Sequence, residues 1–165
     1  MIYGEINQRM ARDVSEKLLM LSSLSSDPIR IFINSQGGHV ESGDTIHDMI
    51  QCVTAPVKII GTGWVASAGA LIYSAANLEN RISLPNTRYM LHQPMGGVGG
   101  SASDAEIEAR EIIKMRRRLN EIFARQTGRD VEKIEKETDR NHWMSPEEAK
   151  EYGLVGKIVN SLGDI

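Results

Sequence analysis

One cysteine, Cys52, is all that a chain of 165 residues contains. A lone thiol closes no internal disulfide and builds no thiolate metal cluster. A disulfide-stapled secreted scaffold is therefore excluded, and a reducing cytoplasm is the expected compartment. A basic surplus is missing too: 19 Lys and Arg stand against 22 Asp and Glu, a net charge of −3. That balance lacks the electrostatic footprint of a nucleic-acid binder. The one basic knot, Arg116-Arg117-Arg118, lies among acids on a helical pattern and reads as a solvated face or a subunit contact. No apolar leader is expected, since Glu5 and Arg9 make the start of the sequence polar. A convincing membrane run is also lacking. Ile59 to Leu78 carries no charge and is long enough to span, but Gly61, Thr62, Gly63, Ser67, Gly69, Ser74 and Asn77 make it weakly hydrophobic. It reads as buried and soluble, with no membrane partner.

What is present describes an ordinary globular domain: 41% apolar and 25% charged residues, at a length that suits one core. Short apolar runs alternate with helical stretches. Asn7 to Leu24 predicts a helix with Met10, Val14, Leu18 and Leu21 on one face. Ile29 to Asn34 predicts a strand, Gln36-Gly37-Gly38 a turn, and Glu41 to Val53 a second helix. The strand VKII follows Pro56, and Gly61 to Asn77 reads as strand, turn and helix. Arg81–Leu84 and Arg88–His92 are short extended runs. The stretch from Gly96 to Ser103 is too glycine-rich for a core strand and reads as a loop or exposed edge. Ser103 with Glu106 predicts a capping box opening a long helix that Gly128 ends. Two shorter helical pieces follow, the second at Ser145-Pro146, and LVGKIV predicts a closing strand. Repeated strand–helix units imply an α/β domain with its site at strand carboxyl ends.

Within GTGWVASAGALIYSAAN, Ser67 is flanked by Ala66, Ala68 and Gly69. Small neighbours allow close helix packing, and they equally leave backbone room for a substrate and an oxyanion. Gly61 to Ala66 formally fits G-x-G-x-x-A, yet the acid that would hold a ribose comes before the next strand, so no dinucleotide site is expected. G-x-S-x-G is absent around Ser67. Ser67 nevertheless follows a strand at a helix start, where free N–H groups and the dipole favour negative charge. A nucleophilic serine needs a base within hydrogen-bond reach. Of the four histidines, His92 ends an apolar strand at its carboxyl end. No two of them keep a spacing such as H-E-x-x-H, so no metal is expected. The paired glycines after Asn34-Ser35-Gln36 can either make a plain turn or point an N–H into a cleft where a peptide lies alongside.

Five stretches together carry a resemblance: INSQGG (33–38), GTGWVASAGALI (61–72), RYMLHQPMGG (88–97), SDAEIEAREIIKMRRRLNEIFARQTG (103–128) and DRNHWMSPEEAKEYGLVGKI (139–158). In order and spacing, over nearly the whole chain, they resemble the Clp protease proteolytic subunits, ClpP. The resemblance implies the ClpP/crotonase fold, a spiral of βαβ units with a protruding handle helix, the handle segment lying at about 96–128 of a single domain covering 1–165. It implies serine endopeptidase chemistry on unfolded proteins inside two stacked heptameric rings. An ATP-driven Clp unfoldase feeds such rings, so this chain itself would need no cofactor. Carried over, the nucleophile matches Ser67, the base His92 and the third triad position Asn141. The oxyanion donors match the N–H groups of Gly37 and Ala68. Substrate backbone would pair with Gly38 and His39 on one side and Pro94 and Met95 on the other.

Three departures stand out. The third triad residue of the family is Asp, here Asn141. Trp64 and Ala68 replace a more usual polar residue and Met. The chain begins at the family's first core strand, so the segment that lines the axial pore is expected to be absent. Asn is neutral, and an Asp→Asn change in a serine protease lowers kcat by roughly 10⁴. The expectation is a weak or assembly-dependent peptidase, with activity gained from a second, Asp-bearing ClpP-type subunit. The alternatives are a structural or regulatory ring subunit of poor catalysis, and a crotonase-type acyl-CoA enzyme on the same fold. Asp139, two residues away, could substitute for Asn141 if the segment were extended.

Overall fold

The computed structural model describes residues 1–94 and 100–165. Met95 and the Gly96 to Gly99 part of the expected handle therefore lie outside the described residues.

The chain winds through βαβ units. β1 (Ile2–Ile6) leads to α1 (Gln8–Leu24), β2 (Ile29–Gly38), α2 (Val40–Cys52), β3 (Val57–Ala66) and α3 (Ala68–Tyr73). Then come β4 (Arg81–Ser83), β5 (Arg88–Leu91), α4 (Ala102–Thr127), α5 (Val131–Glu137), β6 (His142–Met144), α6 (Pro146–Tyr152) and β7 (Lys157–Ile158). The sheet order is β1-β2-β3-β4-β7, all parallel, with β5 also on β3 and β6 antiparallel to β5. Parallel strands covered by helices are expected to be apolar throughout. Accordingly Ile2, Ile6, Ile33, Ile59, Ile60 and Ile82 have no exposed surface.

The long strand β3 is what organises the site. Its first half pairs with β4 (Ile59↔Arg81 to Gly61↔Ser83) and its second half with β5 (Trp64↔Arg88 to Ala66↔Met90). One strand edge thus serves two neighbours in succession, and the second carries β6. Buried Arg81 fastens the far side. Its guanidinium donates to Gln126 O at 2.7 Å, Leu154 O at 3.2 Å and Gly153 O at 3.3 Å, holding the ends of α4 and α6 to the sheet. Burial lowers the pKa of Arg81.

Local rules and tertiary pairing disagree in four places. Gln36-Gly37-Gly38 is the end of β2 rather than a turn, because β1 pairs there (Glu5↔Gly37, Ile6↔Gly38) and glycine accepts the φ of +101° and +149° that results. The capping box that opens α4 is Ser101 with Asp104, two residues before the expected one. The same S-x-x-[D/E] spacing occurs twice, and the earlier box gives the longer helix. β6 had no strand signal of its own and exists because β5 offers it an edge. Of LVGKIV only Lys157–Ile158 is strand. Gly128 does end α4, in the left-handed conformation. Residues 101–118 of α4 include no buried side chain, and Ile107 and Ile113 are 58% and 66% exposed. The helix docks on the core from Met115 onward, and its first buried side chain is Leu119.

Candidate active site

Three strand ends meet. β3 runs out at Ala66, and the next N–H, that of Ser67, donates to Met90 O at 2.9 Å on β5. Two residues beyond Met90 is His92, whose Nε2 lies 2.7 Å from Ser67 Oγ. On the other side of β5, Leu91 is opposite His142, so one step along the antiparallel ladder sets Asn141 across from His92. Strand register alone accounts for the meeting of residues 67, 92 and 141.

Ser67 has φ 56° and ψ −123°, the one positive φ of a non-glycine residue among the described residues. Such a backbone costs roughly 1–3 kcal/mol and persists only where its surroundings over-determine it. Here both sides are pinned: the N–H by Met90 O, and the carbonyl by Leu71 N–H at 3.1 Å in the first turn of α3. The result is a sharp strand-to-helix corner that presents Oγ, the geometry of a nucleophile elbow without its G-x-S-x-G motif.

The small residues have separate tasks. A Cβ on Gly37 would sit 2.6 Å from Ser67 Cβ, and one on Gly69 would sit 3.1 Å from Ser35 O. One on Gly43 would meet Ala68 Cβ at 3.1 Å. Packing and chemistry both require them.

The His92 ring is half-buried, and burial lowers its pKa; a side-chain hydrogen bond with Asn141 pushes the other way without prevailing. Asn141, across the ladder from His92, stands where an amide oxygen can accept the ring N–H. With the ring proton on Nδ1, Nε2 accepts from Ser67 Oγ–H, the tautomer a general base requires. Asp139 does not take over. It sits in a turn, 3.5 Å from Arg116, 3.5 Å from Gln93 Nε2 and 3.9 Å from Arg140. Gln93 Nε2 donates to Asp139 O at 2.8 Å and Gln93 N–H to Thr138 O at 2.9 Å, which fixes the turn carrying Asn141.

Two expectations about the glycine strand need correction. The Gly37 N–H is not free for an oxyanion: it donates to Ser35 Oγ at 3.0 Å. The His39 backbone is not free for a substrate: its N–H donates to Ile6 O at 2.8 Å and its carbonyl accepts from Gly43 N–H at 3.1 Å. In this parallel register the β1–β2 ladder uses the His39 N–H and passes over that of Gly38. Pro94 lines a recess together with Ser67, Ala68, His92, Val40, Leu71, Leu119 and Phe123. The sequence did not single out the last four for the site, and only the fold brings them beside Ser67. Next to the recess, a cavity of about 480 Å³ opens over His92, Gln93, Asp139, Arg140 and Asn141. No group of three or more His, Cys, Asp or Glu that could hold a metal occurs among the described residues, and no helix there is long and apolar enough to cross a membrane.

Comparison with known proteins shows the family and the fold. A sequence profile of the Clp protease family matches residues 1–162. The ATP-dependent Clp protease proteolytic subunit 2 of Gluconobacter oxydans is 61% identical over 167 residues, covering 100% of this chain and 75% of its own length. Proteolytic subunit 3 of Rhizobium etli is 61% identical over 164 residues, covering 99% and 84%. ClpP1 from Listeria monocytogenes superposes with a TM-score of 0.90 at 60% identity, over 99% of this chain and 91% of the other. An asparagine-to-aspartate mutant of that ClpP1 superposes at 0.93, also at 60% identity, over 98% and 91%.

Proposed function

The chain belongs to the Clp protease family, and from that premise we propose that it is a serine endopeptidase acting through Ser67, His92 and Asn141. The observation that carries this reading is the strained Ser67 with His92 Nε2 at 2.7 Å. Strain of that kind has no packing benefit to offset it and is expected where an alcohol must be presented.

In this mechanism Ser67 Oγ attacks the scissile carbonyl carbon while its proton passes to His92 Nε2. The tetrahedral oxyanion forms against the Ala68 N–H, at the first residue of α3, and against the Gly38 N–H, which replaces the Gly37 donor. His92 then returns the proton to the leaving amine nitrogen, and water repeats the sequence on the acyl-enzyme. The apolar recess of Val40, Leu71, Leu119 and Phe123 receives an apolar side chain next to the cut. Asn141 orients the ring but adds no negative charge to balance the imidazolium, so turnover is weak in a ring of this chain alone and higher beside an Asp-bearing subunit. The exposed first part of α4 is the surface with which one ring meets another, in a particle of two heptameric rings served by an ATP-driven unfoldase on unfolded chains.

A serine-directed fluorophosphonate tests the reading. Ser67 of the native chain should be phosphonylated, and Ser67→Ala should remove the adduct. A correctly assembled native chain that takes no label would instead make it a structural ring subunit.

A further inference from the structure

Ser35 is fully buried, and among the described residues its hydroxyl is the one polar side chain hydrogen-bonded to the Gly37–Gly38 backbone facing Ser67. Oγ donates to Gly4 O at 2.6 Å and accepts the Gly37 N–H at 3.0 Å. Gly4 is displaced from the β1–β2 ladder: the register shifts between Tyr3 and Glu5, and Gly4 has φ +81°. The bulge turns a carbonyl out of the ladder and toward the serine. The β2–β3 register is also irregular at this level, between Ile33 and Ser35. Ser35 therefore links a bulge on one strand to a pair of glycines on the next, at the level where both depart from regular pairing.

Those glycines need an anchor. Gly37 and Gly38 have φ values open to glycine only, so many backbone orientations are sterically allowed to them. The Ser35–Gly37 bond fixes the Gln36–Gly37 peptide, and the next peptide carries the Gly38 N–H. Catalysis by oxyanion donors depends on their being oriented before the charge develops.

We propose that Ser35 is a positioning residue for the oxyanion site, its buried hydroxyl tying the bulge at Gly4 to the Gly37–Gly38 backbone so that the Gly38 N–H is held toward Ser67. The proposal rests on the serine peptidase reading above. The Ser35 hydroxyl hydrogen-bonds to Gly4 and Gly37 and not to Ser67 Oγ or His92, so it acts on charge stabilisation and leaves the base alone.

The experiment compares native chain, Ser35→Ala, Gly4→Ala and the double variant. The readouts are the fluorophosphonate rate at Ser67, and kcat, KM and the acid limb of the pH profile on a small fluorogenic peptide. Removing an oxyanion donor outright costs about 10²–10³ in kcat. Loosening one should cost less, so Ser35→Ala is expected to lose about 10- to 100-fold in phosphonylation rate and in kcat, with KM and the acid limb unchanged. Gly4→Ala provides the independent check. A Cβ there meets nothing within 4 Å, so only the φ of +81°, and with it the direction of the carbonyl, is disturbed. It should lower the same quantities, and the double variant should be little worse than Ser35→Ala, because both cut one connection. The proposal is overturned if folded, assembled Ser35→Ala labels at the native rate, if the acid limb moves, or if the two losses multiply. Should Ser35→Ala fail to fold, an unchanged rate in Gly4→Ala overturns it. A native chain that takes no label at all removes the peptidase reading itself, a result distinct from all of these.

Discussion

Asn141→Asp adds one negative charge beside a half-buried imidazole and leaves volume nearly unchanged. During attack His92 becomes an imidazolium, and the new carboxylate stabilises it. Two unit charges about 4 Å apart attract by about 1 kcal/mol in bulk water and about 4 kcal/mol at the effective dielectric of a protein surface. Asn141 is exposed while the His92 ring is half-buried, so the real value falls between these limits. They correspond to roughly 5-fold and 10³-fold in rate. The expected gain in kcat is about 10- to 100-fold, short of the roughly 10⁴ lost on the reverse change in a serine protease whose aspartate is buried. The pH profile gives an independent sign. The neutral ring is the base, so activity falls as pH drops through the His92 pKa. Burial holds that pKa below the ~6.5 of a free imidazole. A carboxylate favours the charged ring, so the acid limb of Asn141→Asp must move to higher pH while the plateau rises. The assay is initial-rate hydrolysis of a short fluorogenic peptide from pH 5 to 9, on particles of matched size. If the variant is no faster and its limb does not move, Asn141 does not face the catalytic imidazole and the reasoning is wrong.

Other outcomes follow from the same geometry. Ser67→Gly relieves the positive φ that Ser67→Ala retains, so the glycine variant should unfold at a higher denaturant concentration than the alanine variant, by roughly 1–2 kcal/mol after glycine's entropic cost; neither should react with a fluorophosphonate. Gly37→Ala puts a Cβ 2.6 Å from Ser67 Cβ at a φ of +101°, and should abolish labelling of Ser67 and lower the Tm. Arg81→Met strands three carbonyls, that of Leu154 buried and those of Gln126 and Gly153 partly so, and should cost about 2–4 kcal/mol in urea unfolding, while Arg81→Lys recovers only part, because an ammonium lacks the fork that reaches both helix ends.

Much of the fold could be read from residue order. The apolar stripe of Asn7 to Leu24 and the run IRIFIN locate α1 and the start of β2, because side-chain period and β-branching act over a few neighbours. Gly128 ends α4 through its left-handed backbone, a local property. Local signals failed where a neighbour offered an edge. β2 runs on through two glycines because β1 pairs with them, and β6 forms because β5 is there to receive it. The same limit applied to the site. Ser67, His92 and Asn141 could be singled out by residue type and by resemblance. The free donor among the glycines could not, since the Gly37 N–H is claimed by Ser35 from its own strand and that of His39 by Ile6 from another. Composition and periodicity thus determined which strands and helices form and which residues have the chemistry. Tertiary structure decided which of those groups face one another and which are already engaged, because hydrogen bonds between strands depend on register, and register is a property of the whole sheet.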